Sequence, residues 1–174
     1  STISTLYGTG DGSTTFNIPN CFGRTIVGSN ASYALGVYIT GTPTLDSIAN
    51  CRISSISTPV GAPAQYSVIY LNGSVPTNTV IFNNVISNGY WGIYWYTGNS
   101  GAHTEGTSIL NNQFTNQYYY GMQTQYTDGL YFNKNVITTN STGNFYGVYF
   151  YWNTVSTRTS QFMNNKITSS TYGY

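Results

Sequence analysis

The sequence predicts an all-β fold: a parallel β-helix solenoid of about six turns, entered through a Gly-rich N-terminal segment. Three observations carry this. A seven-residue motif recurs, reading apolar, any, Asn, Asn, any, apolar, Ser/Thr. A second motif, Gly-apolar-Tyr-apolar, follows the copies of the first. No stretch of the 174 residues keeps a helical period, whereas both motifs alternate with the period of a strand.

Taken in order, the first motif begins with Ile18-Pro-Asn-Cys-Phe-Gly-Arg24, which fits its first half only. Ile48-Ala-Asn-Cys-Arg-Ile-Ser54 fits with Cys in place of one Asn. Ile81-Phe-Asn-Asn-Val-Ile-Ser87, Ile109-Leu-Asn-Asn-Gln-Phe-Thr115, Phe132-Asn-Lys-Asn-Val-Ile-Thr138 and Phe162-Met-Asn-Asn-Lys-Ile-Thr168 complete the set. Successive anchors lie 30, 33, 28, 23 and 30 residues apart. A period of about 20–50 residues marks a solenoid, propeller or array. The unequal spacing implies loops of variable length between fixed contacts. Ile48, Ile81, Ile109, Phe132 and Phe162 are therefore expected to stack in one buried column.

The second motif reads Gly36-Val-Tyr-Ile39, Gly92-Ile-Tyr-Trp95 and Gly147-Val-Tyr-Phe150. Val68-Ile-Tyr-Leu71 replaces the Gly and Gly121-Met-Gln-Thr124 the Tyr. Period two places Val37, Ile69, Ile93, Met122 and Val148 inward. Tyr38, Tyr70, Tyr94, Gln123 and Tyr149 then face outward.

One repeat of about 28 residues cannot bury its own apolar face, but stacked repeats can. Asn suits the corner between strands because it tolerates left-handed backbone angles. Stacked Asn amides can also bond along the axis. Strands stacked in register between successive turns are parallel. Two or three strands per repeat are too few for a propeller blade, and the spacing of a leucine-rich repeat is absent. The segments 57–66, 71–78, 97–107 and 139–144 are rich in loop residues and belong on the rim.

This pattern resembles the right-handed parallel β-helix repeats of pectate-lyase-like proteins and viral tailspikes, over about residues 45–174. A second resemblance lies upstream. Tyr7-Gly-Thr-Gly-Asp-Gly-Ser-Thr-Thr-Phe-Asn-Ile-Pro19, followed by Gly23-Arg24, resembles the second half of the phage tail-collar motif of tail-fibre proteins. The family's first half is missing. The resemblance implies virion or fibre ancestry and attaches no chemistry. The expected division is residues 1–30, a collar-like segment with the first rung, and residues 31–174, the β-helix. As a Gly-rich loop, Gly8, Gly10 and Gly12 could cradle phosphate, but no Lys-Ser/Thr follows. A turn before the first rung, with Asp11 capping it, is the simpler reading.

Composition narrows the function classes. Charged residues make up 5% of the chain and aromatic residues 17%, with a net charge of +1. No basic patch exists for phosphates, so nucleic acid is not an expected partner. No apolar run approaches membrane-spanning length, so no membrane insertion is expected. Single domains normally keep apart by surface charge. A neutral, hydroxyl- and amide-rich surface suits packing against copies of the same chain. The chain starts at Ser1 and shows no signal peptide, as expected of a processed chain or a piece of a longer one.

The candidate sites follow. Cys21 and Cys51 occupy the same motif position in adjacent rungs; a disulfide and two stacked, reduced thiols are both open readings. The Cys and His content makes no metal site, and no cofactor is expected. Asn30, Asn72 and Asn140 begin sequons, which matter only where the source glycosylates. Glu105, Asp128 and Arg158 each lie four residues before an anchor and should stack on one edge, with His103 near. Two carboxylates about 5 Å apart match a retaining glycosidase pair. The competing reading is a solvated ion ladder. The outward Tyr38, Tyr70, Tyr94 and Tyr149, flanked by Trp91, could bind sugar rings or another subunit; ordinary cross-strand stacking is the alternative. Ile3 and Leu6 at one end and Tyr172 and Tyr174 at the other are the candidates for assembly. The function expected is a non-enzymatic structural subunit of an extracellular or virion fibre that self-assembles head to tail. The alternatives are a glycan-binding tail-fibre adhesin and, third, a polysaccharide depolymerase.

Overall fold

The computed structural model describes residues 25–27, 36–39, 47–58, 64–72, 77–96, 103–151, 158–170 and 172–173. These residues form a parallel β-solenoid with three sheets around one core, every strand pair being parallel. Helix is confined, among the described residues, to a single 3-10 turn at Ala64–Tyr66.

The anchor sheet holds Ser47–Ala49, Val80–Phe82, Ser108–Leu110, Tyr131–Asn133 and Gln161–Met163. Its register puts Ile48, Ile81, Ile109, Phe132 and Phe162 in one column, as the repeat requires. Burial is complete at Ile81, Ile109 and Phe132 and fails at Phe162. The second sheet follows the corner and holds Thr25–Val27, Arg52–Ser54, Val85–Ser87, Gln113–Thr115, Val136–Thr139 and Lys166–Ser169. Ile53, Ile86, Phe114 and Ile137 form its buried column. The third sheet carries the Gly-apolar-Tyr motif on Val37–Ile39, Ser67–Asn72, Trp91–Tyr96, Tyr120–Gln125, Asn144–Tyr151 and Tyr172–Gly173.

Four complete turns result, with partial turns before and after, rather than about six. The strand ladders do run five or six deep. In the third sheet, however, the first and last levels contribute only Val37–Ile39 and Tyr172–Gly173 among the described residues. The first level also departs from the motif alignment. That alignment would set Phe22 opposite Arg52, but Thr25 pairs with Arg52 and Ile26 with Ile53. The shift brings an isoleucine, not Gly23, level with the inward column. Cys21 lies outside the described residues, and its alignment with Cys51 depends on the register that is not observed.

The Asn pair has two distinct jobs. The third motif position takes left-handed backbone angles: φ is 58° at Asn50, 55° at Asn83, 57° at Asn111, 58° at Lys134 and 57° at Asn164. The fourth position is buried and points inward. Asn84 Nδ2 donates to Asn112 Oδ1 at 2.9 Å, Asn112 Nδ2 to Asn135 Oδ1 at 3.1 Å, and Asn135 Nδ2 to Asn165 Oδ1 at 3.2 Å. Each Oδ1 also accepts a backbone N–H from the preceding turn, and each Nδ2 caps a carbonyl of the anchor strand one turn back. Cys51 stands in the first place of this row, with its N–H on Asn84 Oδ1 and its thiol on the Ala49 carbonyl. Buried polar groups are tolerable only when satisfied, and this ladder satisfies backbone and side chain together.

The motif glycines serve close approach. A Cβ on Gly92 would lie 2.5 Å from the Gly121 carbonyl oxygen and 2.7 Å from Phe114 Cδ1. At this position the absence of a side chain lets the third sheet press closely on the second-sheet column. Val68, which replaces the glycine one turn earlier, is itself fully buried.

Candidate functional sites

The acidic edge forms where the chain turns into the anchor sheet. Thr104–Glu105 and Thr127–Asp128 make a fourth, two-stranded ladder, with Asp128 level with Glu105. Neighbouring parallel strands are about 4.8 Å apart, so the two backbones carry their carboxylates on adjacent rungs. The corner is turned by left-handed residues at equivalent places: Asn78, Gly106 and Gly129. Arg158 lies over it. A Cβ on Gly129 would meet the Arg158 stem at 2.5 Å, and one on Gly106 would lie 3.2 Å from Arg158 Nη1. Bare glycines thus let the arginine run back along the axis. Its Nη2 reaches Glu105 Oε2 at 3.4 Å, and its backbone N–H donates to Asp128 Oδ1 at 3.3 Å. Asp128 is 1% exposed, whereas the Arg158–Glu105 pair is nearly half exposed. His103 packs edge-on against Tyr126, ring centroids 6.0 Å apart, at the same end of this segment. The structure therefore brings Glu105, Asp128 and Arg158 together, and Arg158 engages both carboxylates. Among the described residues no group of three His, Cys, Asp or Glu could hold a metal ion.

The outer face of the third sheet is aromatic. Tyr38, Tyr70, Tyr94, Gln123 and Tyr149 share one register row. Tyr38 and Tyr70 are 5.5 Å apart by ring centroid, and Tyr70 and Tyr94 5.2 Å apart with planes 4° from parallel. Gln123 interrupts the row. The indole of Trp91 fills the gap: it stacks on Tyr94 at 4.8 Å and on Tyr120 at 5.9 Å, and its Nε1 donates to Gln123 Oε1 at 2.8 Å. Tyr120 continues to Tyr146 at 5.1 Å and to Tyr149 at 5.7 Å. Trp91 is buried as a result, and the ring faces along the row are turned toward one another. Only Tyr38, 51% exposed, stands clearly open. Burial, with the neighbouring phenols second, pushes Tyr70 and Tyr120 up to about 12 and raises Tyr90 and Tyr94 as well. A row whose faces are occupied offers edges and hydroxyls, which is poor geometry for stacking sugar rings.

A polar pocket escapes the sequence motifs. It has a volume of about 260 Å³ and is lined by Ser57, Asn88, Asn116, Gln117, Tyr118, Asn140 and Ser141. It sits at the corner leading out of the second sheet, where Asn88 and Asn116 are left-handed at φ 62° and 60°. Gln117 is fully buried; its Nε2 donates to the Ile86 and Thr115 carbonyls, and its Oε1 has no protein partner. Tyr118 is exposed at the rim. The recurrence of Asn88 and Asn116 just after the Ser/Thr of the first motif was the available signal.

Of the sequon residues, Asn140 is exposed at this pocket and Asn72 donates from Nδ2 to the Tyr38 hydroxyl at 3.3 Å. Asn30, Ile3, Leu6 and Tyr174 lie outside the described residues. Tyr172 pairs with Asn144 at the end of the third sheet. In comparisons with known proteins, the chain matches no family model, no curated protein and no solved structure. No helix among the described residues is long and apolar enough to cross a membrane.

Proposed function

We propose that the protein is a non-enzymatic structural subunit of an extracellular or virion fibre, assembled by stacking solenoids head to tail. One observation carries the reading: apolar residues of the inward columns are exposed over the last two described levels. Phe162 and Ile167 on the last are 46% and 41% exposed, and Phe150 on the level before is 47% exposed. One turn earlier in the same columns, Phe132, Ile137 and Thr124 are at 0%. Exposed apolar area costs about 25 cal/mol per Å². A parallel ladder repeats by translation, so the last rung of one copy offers the edge that the first rung of the next can continue. Such a contact is heterologous and propagates into an open filament. The near absence of charge removes the usual barrier to close packing of copies. The resemblance to tailspike-type β-helices and the collar-like residues 5–28 would fit a virion setting. Arg158, engaged with both Glu105 and Asp128, supports a structural role for that edge rather than catalysis.

The test is assembly. Phe162→Asp with Ile167→Asp should abolish long particles by light scattering and electron microscopy while the circular dichroism of the chain persists. Removal of residues 1–7, with Ile3 and Leu6, should shorten them. If the double variant assembles like the parent, head-to-tail stacking is wrong, and lateral packing through the tyrosine sheet, as in a parallel trimer, takes its place. A second reading, capture of a neutral glycan, is favoured by the amide- and hydroxyl-lined pocket around Gln117 and Tyr118. Glycan-array binding by dispersed protein, lost in Gln117→Leu, would support it.

A further inference from the structure

We propose that the aromatic face of the third sheet is a one-electron relay, passing oxidising equivalents along the solenoid to Tyr38. This goes beyond the assembly reading and does not depend on it. The argument starts from continuity. Tyr38, Tyr70, Tyr94, Trp91, Tyr120 and Tyr149 form an unbroken series in which every neighbouring pair of centroids lies between 4.8 and 5.9 Å. The series crosses five levels of the sheet. Where Gln123 removes a ring from the row, Trp91, the side chain that bridges the gap, is itself easily oxidised. Cross-strand stacking alone needs rings but not oxidisable ones, and phenylalanine would serve it equally. Between Tyr38 and Tyr149 every ring in the series is a tyrosine or a tryptophan.

The chemistry balances with an external one-electron acceptor, such as a photo-oxidised ruthenium polypyridyl. That oxidant removes one electron from a phenol, which releases its proton to water and becomes a phenoxyl radical. For the hole to move, the neighbouring ring gives up an electron and a proton, and the first ring regains both. Direction comes from the proton. Tyr70, Tyr94 and Tyr120 are partly buried and meet less solvent than Tyr38, and that burial raises their phenols and favours the neutral form. Tyr38 is the open end. Its oxygen accepts from Asn72 Nδ2, which leaves its own O–H to donate to solvent. The hole is therefore trapped at Tyr38, on the phenoxyl oxygen that Asn72 already supports.

The experiment places the oxidant at the far end. In the full chain with Cys21→Ser and Cys51→Ser, a ruthenium polypyridyl is attached to Asn144→Cys, an exposed residue two positions before Tyr146. Flash oxidation with a sacrificial quencher is followed by radical-probe labelling and peptide mapping, at dilution that leaves the chains dispersed. The expected result is labelling at Tyr38 as well as at Tyr146 and Tyr149. In Tyr70→Phe with Tyr94→Phe, which keeps the stacked rings but removes two redox sites, Tyr38 labelling is lost and Tyr146 labelling persists. Equal Tyr38 labelling in that variant, or no Tyr38 labelling in the parent, overturns the relay. Circular dichroism of each variant establishes that the solenoid is intact. Either outcome leaves the assembly test unaffected, because no intermolecular contact enters this measurement.

Discussion

Replacing Asn112 with alanine separates the two asparagines of the corner. Asn112 is 2% exposed and its side chain makes five hydrogen bonds. Some partners keep a second bond: Leu110 O still accepts from Asn83 N, and Asn135 Oδ1 from Asn112 N. One backbone partner depends on the amide, the Asn84 N–H, since the Ile81 carbonyl also lies in the strand ladder with Ser108–Leu110. A buried group left without its partner costs about 1–3 kcal/mol, which sets the cost of the substitution. Asn111→Ala is the contrast. Its side-chain bond to Asn83 is exposed, and what remains is the left-handed φ of 57°. A non-glycine residue there costs about 1–2 kcal/mol, and asparagine already bears part of that. With a urea slope of about 2 kcal/mol per M, Asn112→Ala should lower the unfolding midpoint by about 0.5–1.5 M and Asn111→Ala by less than about 0.5 M. Urea titration of dispersed protein followed by circular dichroism measures both. Equal shifts would refute the division of labour, because the buried ladder would then contribute nothing beyond the turn.

Four further outcomes follow from the same geometry. Gly121→Ala puts a Cβ 2.5 Å from the Gly147 carbonyl oxygen and 3.0 Å from Ile137 Cδ1, so it should destabilise by about 1–3 kcal/mol in the same titration. Glu105→Ala should cost less than about 1 kcal/mol, since its ion pair with Arg158 is nearly half exposed. Asp128→Ala should cost about 1–3 kcal/mol, because the Arg158 N–H loses a buried acceptor. Alkali should unfold the protein. Tyr70 and Tyr120 hold their protons to about 12 in the fold against 10.0 ordinarily, so between those values the unfolded chain has released protons that the native chain keeps. Stability is therefore intact below about pH 10 and falls as pH rises toward about 12. Tyr70→Phe with Tyr120→Phe should flatten that fall in pH-dependent urea midpoints.

Much of the fold was legible because the repeat is written in side chains that the backbone requires. Asn at a left-handed corner and an inward apolar residue every turn leave few other arrangements, and even Lys134, which breaks the Asn pattern, adopts the same φ. The first rung was not legible, since Ile18–Arg24 resembles the motif by composition while Thr25–Val27 supplies the strand that pairs. The acidic edge could be read from its fixed distance before each anchor. The direction of Arg158 across Gly106 and Gly129 could not, because it depends on space that only the folded corner creates. The tyrosine row was visible as alternation, but the rotation of Trp91 into the place left by Gln123 was not. The pocket around Gln117 draws its lining from four separate segments and leaves no contiguous pattern.

The most direct measurement of the assembly account is the axial repeat of the assembled protein, from electron micrographs or fibre diffraction. Stacked solenoids predict a strand spacing of about 4.8 Å along the particle axis. They also predict a subunit repeat of about 19–29 Å on that same axis, set by four complete turns and the partial turns beside them. A strand spacing perpendicular to the particle axis, or a closed oligomer with no axial repeat, would contradict it.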